Sequence, residues 1–144
     1  MHHILLAQSD TTAGFLSQDM CALNKVKNRN INKRVIITTS KLSFLNSLVR
    51  IPNVHKNRVR RQKKSTFIYR NNKAMRVVQD HIHSKLIDNF GYLYSTSANI
   101  HKQNFEINFA INSADIVILD KRGIFEGKPS KIYQLNNKTI KRLR

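Results

Sequence analysis

Short apolar runs rich in β-branched residues alternate along the chain with segments of helical periodicity, and this alternation most constrains the fold. Residues 4–7, 35–39 and 116–119 each have the length and composition of a buried strand. Between such runs, apolar residues recur every three or four positions, as on the buried face of a helix. The pattern predicts an α/β fold in which the central strand pair is antiparallel.

Four parts of the chain carry the more detailed expectations. Thr12 is predicted to cap a helix over about 13–27, and Ser40 a second helix that reaches about Val49 before Pro52 ends it. Residues 53–64 are polar, basic and nearly free of apolar periodicity, which predicts the least ordered segment. After the last predicted strand, a basic C-terminal tail begins at about residue 136.

The remaining elements follow from composition and turn residues. Asp80 or His81 begins a helix that ends near Phe90, with Gly91 just beyond it. The other predicted elements are strands over residues 66–69, 75–78, 92–96 and 131–135 and a short helix near 105–112.

Length and cysteine content bound the class of protein. A chain of 144 residues predicts one domain, 1–144, and its single cysteine, Cys21, excludes an internal disulfide. Cys21 is interpreted as a buried structural thiol. The sequence has no apolar run that could span a bilayer and no signal peptide, so a cytoplasmic location is the default expectation. No histidine spacing typical of a metal site is found, and no metal is predicted.

Positive charge is the dominant bulk property. The formal net charge is +18, and no Asp or Glu occurs between Met20 and Gln79. An AT-rich genome would enrich Lys, Asn and Ile together, but it would not remove the acidic residues. A surface that binds polyanions is therefore expected, with strong salt dependence. Membrane-surface binding is disfavoured because no strongly amphipathic basic helix is found.

The run 94–99, which is rich in small polar residues, follows an apolar approach, residues 91–93, that is predicted to begin a strand. In open α/β sheets the carboxyl ends of strands are where ligands bind, and small side chains let a polar ligand approach the backbone. The alternative is that Ser, Thr and Asn here make a turn and cap the next helix.

Three segments, taken in order, resemble the Sua5/YrdC/YciO family. That family has a threonine-rich turn ending in glycine, then a Lys-x-Arg motif, then a Ser-x-Asn motif. The matching residues here are Thr11, Gly14, Lys27, Arg29, Ser97 and Asn99. Residues 76–81, 66–67 and 129–132 resemble further family segments, so the likeness extends over most of the chain.

The chain also departs from the family pattern. The family's Tyr before the turn glycine is Ala13, and the prolines after Lys-x-Arg and Asp-His are Asn30 and Ile82. A Trp-Pro-Gly-Pro segment is replaced by residues 60–65, and the Ser-Gly after the Ser-x-Asn motif by His101 and Lys102. The chain is shorter than a typical family domain.

The resemblance implies a single YrdC-like domain, with a twisted mixed parallel and antiparallel sheet flanked by helices. It also implies L-threonylcarbamoyladenylate synthase activity in tRNA t6A biosynthesis, a nucleotidyltransferase reaction. L-threonine, bicarbonate and ATP would be substrates, with Mg²⁺ on the nucleotide and other t6A-pathway proteins as partners. No side chain is assigned as acid, base or nucleophile. The predicted substrate-binding residues are Thr11, Lys27, Arg29, Thr66, Arg76, Ser97, Asn99 and Ser130.

Two alternatives remain open. The chain could be a non-catalytic module of the same fold that binds tRNA, rRNA or double-stranded RNA through its basic residues, reading backbone and shape. It could also be a carbamoyl-transfer relative with another acceptor, like the family's accessory domains in hydrogenase maturation proteins. The predicted RNA surface consists of Arg58, Arg60, Arg61, Lys63 and Lys64.

Overall fold

A computed structural model describes residues 2–144, so Met1, the first residue of the predicted domain 1–144, lies outside the described residues. The described chain forms two compact units. The first contains residues 2–35 and 93–129, and the second contains residues 36–92 and 130–144. The single domain over 1–144 stays a prediction.

Nine strands, five α-helices and one 3-10 helix make up the described chain. In chain order they are β1 (Leu5–Gln8), β2 (Ala13–Ser17), α1 (Met20–Val26), β3 (Ile36–Thr39), α2 (Leu42–Leu48), the 3-10 helix (Asn53–His55), α3 (Lys56–Arg61), β4 (Ser65–Ile68), β5 (Ala74–Val77), α4 (His81–Asp88), β6 (Tyr92–Ser97), α5 (Ile107–Ser113), β7 (Ile116–Ile118), β8 (Lys131–Leu135) and β9 (Ile140–Arg142).

Strands in both units pair in parallel and antiparallel fashion, which confirms the predicted mixed α/β class. In the first unit the strand order is β7-β1-β2-β6. There β1 is parallel to β7, while β2 is antiparallel to both β1 and β6. In the second unit the order is β3-β5-β4-β8-β9. Its parallel pairs are β3–β5 and β4–β8, and its antiparallel pairs are β4–β5 and β8–β9.

The predicted helix over 13–27 is wrong in its first half. Residues Ala13–Ser17 form β2, which pairs antiparallel with β1 through the turn at residues 9–12. All five residues of β2 are buried, so both faces of the strand are covered. Phe15 and Leu16 fit a helical spacing as well as a strand, because such short apolar runs do not distinguish a buried strand from a helix.

The helix that does form, α1, begins later and has a different cap. Asp19 is its N-cap, and its Oδ1 accepts hydrogen bonds from the backbone N–H groups of Cys21 at 2.8 Å and Ala22 at 3.2 Å. A carboxylate at this position satisfies two of the free N–H groups of the first turn. Cys21 lies in the helix as predicted, but it is half-buried instead of buried.

The predicted cap of α2 is also wrong. Lys41 occupies the N-cap position without a side-chain cap bond, and its N–H donates to Thr39 Oγ1 at 3.2 Å. The Ser40 hydroxyl donates instead to Asp88 Oδ1 at the end of α4. The Ser40 side chain, which the local pattern assigned to capping α2, therefore makes a tertiary hydrogen bond to α4.

Two segments predicted without regular structure contain it. Residues 53–61 form the 3-10 helix and α3, anchored by Val59, which is 2% exposed. One buried apolar residue among basic neighbours produces no periodicity in the sequence. The predicted C-terminal tail contains β9, whose residues pair with β8, including Ile140 with Leu135.

Each unit has its own core. In the first unit, Leu6, Phe15 and Leu23 are fully buried, and the Phe15 ring meets the Phe109 ring edge to face at 6.1 Å. In the second unit, Leu45 of α2 and Met75 of β5 are fully buried. These cores hold the strand ends from which the predicted site residues extend.

Candidate anion-binding site

Lys27 follows α1 directly, and its ammonium group is held by the end of β6. The Nζ atom donates to the backbone oxygens of Ser97 at 2.7 Å and Asn99 at 2.5 Å, and to Asn99 Oδ1 at 3.0 Å. The side chain is only 2% exposed. The structure thus brings together three residues that the sequence motifs predicted as one site.

The surroundings of Lys27 are cationic. Its hydrogen-bond acceptors are neutral oxygens, and the charges that act on it are those of Arg29 and Lys33. Burial first, and then these two cations, lower the pKa of Lys27 from its ordinary value of 10.5 to about 8. His101 lies beside the cluster, with Nε2 3.3 Å from Lys33 Nζ. The positive charge of this cluster is not neutralised by its hydrogen-bond partners, so the cluster would attract an anion.

Arg29 is positioned by Asn24, a residue that the sequence analysis did not single out. Asn24 is fully buried, and its Oδ1 accepts from Arg29 Nε at 2.6 Å. Its Nδ2 donates to the backbone oxygens of Ile31 at 2.8 Å and Lys33 at 2.7 Å. Asn24 therefore links α1, the 28–33 loop and the guanidinium group. The only local signal for it was a polar residue beside the apolar face of α1.

Ser97 and Asn99 lie at the end of β6 and are hydrogen-bonded to each other. Ser97 pairs with Gly14 of β2, and a Cβ at Gly14 would lie 3.2 Å from Thr96 O. The Ser97 hydroxyl donates to Asn99 Oδ1 at 2.5 Å, and Asn99 Nδ2 donates to Gln103 O at 2.7 Å. The polar run thus forms a hydrogen-bonded loop at a strand end.

Thr11 lies in the β1–β2 turn, where the Ser9 hydroxyl organises the backbone. Ser9 Oγ accepts from Thr11 N at 3.1 Å and donates to Thr12 O at 2.7 Å. Gly127 packs directly on this turn, since a Cβ there would lie 1.9 Å from Thr11 O. Its N–H also donates to Thr12 Oγ1 at 3.0 Å. The contact with Gly127, which only the folded chain creates, was not predicted.

An ion pair holds the other side of the turn. Arg122 Nη2 lies 2.7 Å from Asp120 Oδ2 and also donates to Gln8 O at 3.0 Å, at the end of β1. The hydrogen bond from Arg122 is the main reason that the pKa of Asp120 falls to about 2. Loop 120–127 therefore contacts and stabilises the turn that carries Thr11.

In the second unit, Thr66 and Ser130 form a buried hydroxyl pair. Their Oγ1 and Oγ atoms are 2.9 Å apart, and the residues are 0% and 4% exposed. Arg144 donates to Ser130 O through Nε at 3.0 Å and Nη2 at 2.9 Å. Arg76 lies in β5 opposite Thr38 and is only 6% exposed, so it is not a solvent-facing strand residue.

The five predicted RNA-binding residues lie on the surface of the second unit. Arg58, Arg60 and Arg61 are exposed on α3, and Lys63 and Lys64 are exposed in the segment before β4. The Arg58 guanidinium stacks on the Tyr133 ring at 4.9 Å from its centre. These residues therefore form one basic stretch, here called the α3 surface (residues 58–64).

Among residues 2–144, no group of three or more His, Cys, Asp and Glu side chains is placed to hold a metal ion. None of their helices combines the length and apolar character that crossing a bilayer needs.

Fold and site together define a class: an α/β protein of mixed sheet topology with a cationic cluster at a strand end. The chain belongs to the Sua5/YciO/YrdC family, whose model, described as telomere recombination, matches residues 15–144. A comparison with curated protein sequences finds no match.

Solved structures share this fold. Sua5 from P. abyssi, solved with L-threonine, has a TM-score of 0.75 at 15% identity, over 99% of this chain and 50% of that one. YciO from E. coli has a TM-score of 0.75 at 16% identity, over 99% and 82%. HypF in its phosphate- and nucleotide-bound form has a TM-score of 0.79 at 12% identity, over 99% and 27%. The chain thus spans about half the length of Sua5.

Proposed function

We propose that this chain is an L-threonylcarbamoyladenylate synthase of tRNA t6A biosynthesis, which converts L-threonine, bicarbonate and ATP into threonylcarbamoyl-AMP and pyrophosphate. The threonine nitrogen would bond to the bicarbonate carbon with loss of water. An oxygen of the resulting carbamate would then bond to the α-phosphorus of ATP as pyrophosphate leaves. Family membership and the Sua5 structure with L-threonine support this assignment.

The observation that carries the proposal is the buried Lys27 ammonium, which has neutral acceptors and cationic neighbours. All three substrates are anionic or contain an anionic group, so each would supply the negative charge that this cluster lacks. Lys27 offers a point charge, and Arg29 a planar fork suited to phosphate or carboxylate. HypF, which this chain matches over 27% of the HypF length, has been solved with phosphate and nucleotide bound, and this adds support for a phosphate ligand.

The proposed roles follow from placement and hydrogen-bonding capacity. Thr11 would orient L-threonine, while Ser97 and Asn99 would bind phosphate or nucleotide oxygens. The family resemblance also assigns Thr66, Arg76 and Ser130 to substrate binding. Because Lys27, Arg29, Ser97 and Asn99 include no carboxylate, Mg²⁺ would arrive on the triphosphate. Rate enhancement would come from positioning and fixed positive charge, with no protein nucleophile.

Direct product detection tests the proposal. The protein would be incubated with ATP, Mg²⁺, bicarbonate and L-threonine, and threonylcarbamoyl-AMP and pyrophosphate would be measured by mass spectrometry. We expect product only when all three substrates are present. Arg29→Ala should abolish it, whereas Lys25→Ala, an exposed cation on α1, should not. Absence of product from folded wild-type protein, beside an active synthase, would reject the assignment. Product with a different amine in place of L-threonine would favour the carbamoyl-transfer alternative.

RNA binding is the second candidate function, and the exposed α3 surface favours it. Exposed Lys and Arg side chains bind phosphates by releasing counterions, so the logarithm of affinity falls linearly with the logarithm of salt concentration. Replacing Arg60, Arg61, Lys63 and Lys64 with Ser should flatten this slope for tRNA and for double-stranded RNA. A matched variant with Lys85, Lys121, Lys128 and Lys138 replaced keeps the same net charge. Equal slopes in the two variants would remove the α3 surface from the RNA interface.

A further inference from the structure

The second unit contains a cavity of about 620 Å³ that the proposed reaction does not use. Its walls are the end of α2, the segment leading to α3, the β4–β5 turn and the end of β8. None of the residues that the family resemblance assigns to substrate binding lines it. Its volume lies within the usual range for small-molecule sites, about 300–1,000 Å³.

The charged residues of this cavity are all cations. Arg50, Lys56 and Arg70 line it, and among the described residues no Asp or Glu does. All three cations are exposed and so are accessible to a ligand. Converging cations without a nearby carboxylate favour an anion, and arginine guanidinium groups match the geometry of phosphate.

The rest of the lining is suited to a larger ligand than a bare anion. Asn46, Asn53 and Asn137 bring amide groups, which can both donate and accept hydrogen bonds. Leu48, Val49, Ile51, Pro52 and Leu135 add an apolar wall. A lining that combines apolar, amide and cationic side chains is complementary to a base, a ribose and a phosphate.

Tyr69 adds an aromatic residue to the lining and is only 3% exposed. Within residues 2–144 its buried hydroxyl has no hydrogen-bond partner. Burial raises the pKa of this phenol, so the group stays protonated. Because the hydroxyl oxygen is closed to solvent, the groups that a phosphate in this cavity would contact are the exposed cations.

The cavity also continues in two directions. A neighbouring space of about 380 Å³ shares Tyr69 and Arg70 with it and adds Lys141. Another of about 210 Å³ shares Arg50, Asn53 and Asn137. Lys141 is thus a further cation beside the cavity, so the ligand can be either free or part of a chain.

We propose that this cavity binds a nucleoside phosphate, with the phosphate at Arg50, Lys56 and Arg70. The ligand is either a free nucleotide or one unit of an RNA strand, since both present the same chemistry. The site is separate in its residues from the proposed synthase site, so the failure of either proposal leaves the other standing.

Titration of the full chain with uridine monophosphate, followed by amide NMR, tests the proposal. We expect saturable shifts of the Asn46, Asn53 and Asn137 signals. Arg50→Ser/Arg70→Ser should weaken binding about ten-fold or more, because two charge-assisted contacts are lost. Lys85→Ser/Lys121→Ser, which replaces two exposed cations outside the cavity, should leave the affinity unchanged.

Lys56→Ser keeps the test decisive even if the arginine variant folds poorly. It replaces one exposed cation of the cavity, so the unfolding midpoint should not fall, while affinity should drop about five-fold. Hexauridylate that binds the same residues more tightly than uridine monophosphate would identify an RNA unit, and equal affinity a free nucleotide. Unchanged affinity in both cavity variants would overturn the proposal. Inorganic phosphate that binds as tightly as the nucleotide would overturn it as well.

Discussion

The Lys27 ammonium donates to the backbone oxygen of Ser97 across 2.7 Å, joining residues seventy positions apart in the chain. The contact ties the end of α1 to the end of β6, so the cation is held by backbone geometry instead of by a carboxylate. A charge held in this way keeps its full attraction for an incoming anion. Four predictions follow from this cluster and from the turn that carries Thr11.

The charge of Lys27 should reduce stability near neutral pH. Its folded pKa of about 8 lies below the ordinary 10.5, so between these values the unfolded chain binds more protons and stability rises with pH. Urea unfolding from pH 7 to 10 should therefore show wild type gaining stability relative to Lys27→Met. The exposed Lys25→Met should show no such trend. A pH-independent difference between wild type and Lys27→Met would contradict the burial argument.

Asn24→Ala should both destabilise the protein and loosen Arg29. It would leave the Ile31 and Lys33 carbonyl oxygens and the Arg29 Nε without their partner, at a cost of about 1–3 kcal/mol. Urea unfolding measures the first effect, and ATP affinity measured calorimetrically below the unfolding midpoint measures the second. Asn32→Ala, at an exposed position of the same loop, is the control. Unchanged ATP affinity in Asn24→Ala would separate Arg29 from the ligand.

Asp120→Asn should remove the ion pair with Arg122 that stabilises the Thr11 turn, and the effect should depend on pH. Because the folded pKa of about 2 lies below the ordinary 3.8, the stabilisation is present above 3.8 and is lost as pH falls toward 2. Wild type should exceed the variant by about 1 kcal/mol at pH 7, and the two should converge as pH falls below the folded pKa of about 2. Glu126→Gln, at an exposed site, should show no convergence of this kind. A constant difference across the range would show that Asp120 acts through its shape and not its charge.

Gly127→Ala should displace the turn that carries Thr11. The added methyl group would lie 1.9 Å from Thr11 O, which is too close for either backbone to remain in place. We expect a loss of about 1–3 kcal/mol and shifted amide signals for Thr11 and Thr12. Lys128→Ala, one residue further and exposed, should leave both signals in place. Unmoved signals in Gly127→Ala would mean that loop 120–127 adapts instead of the turn.

Local pattern predicted elements well where each had its own signal. The β4–β5 pair and its turn, β1, β3 and α4 with its Asp80 cap are all confirmed. The local pattern failed where a segment had too few apolar residues, as in α3 and β9. It also failed where a short apolar run fitted both the helical and the strand periodicity. The run at Ala13–Ser17 is the clearest case, since only pairing with β1 and β6 makes it a strand.

The amino-acid sequence by itself determined the α/β class, the cationic character and the family motifs, because these depend on composition and on residues close together in the chain. Only the tertiary structure decided that Lys27 is buried, that Asn24 holds Arg29 and that Gly127 packs on the Thr11 turn. The physical reason is distance along the chain. Burial, pKa and hydrogen-bond partners depend on atoms that are neighbours in space, and here Lys27 meets Ser97 while Gly127 meets Thr11.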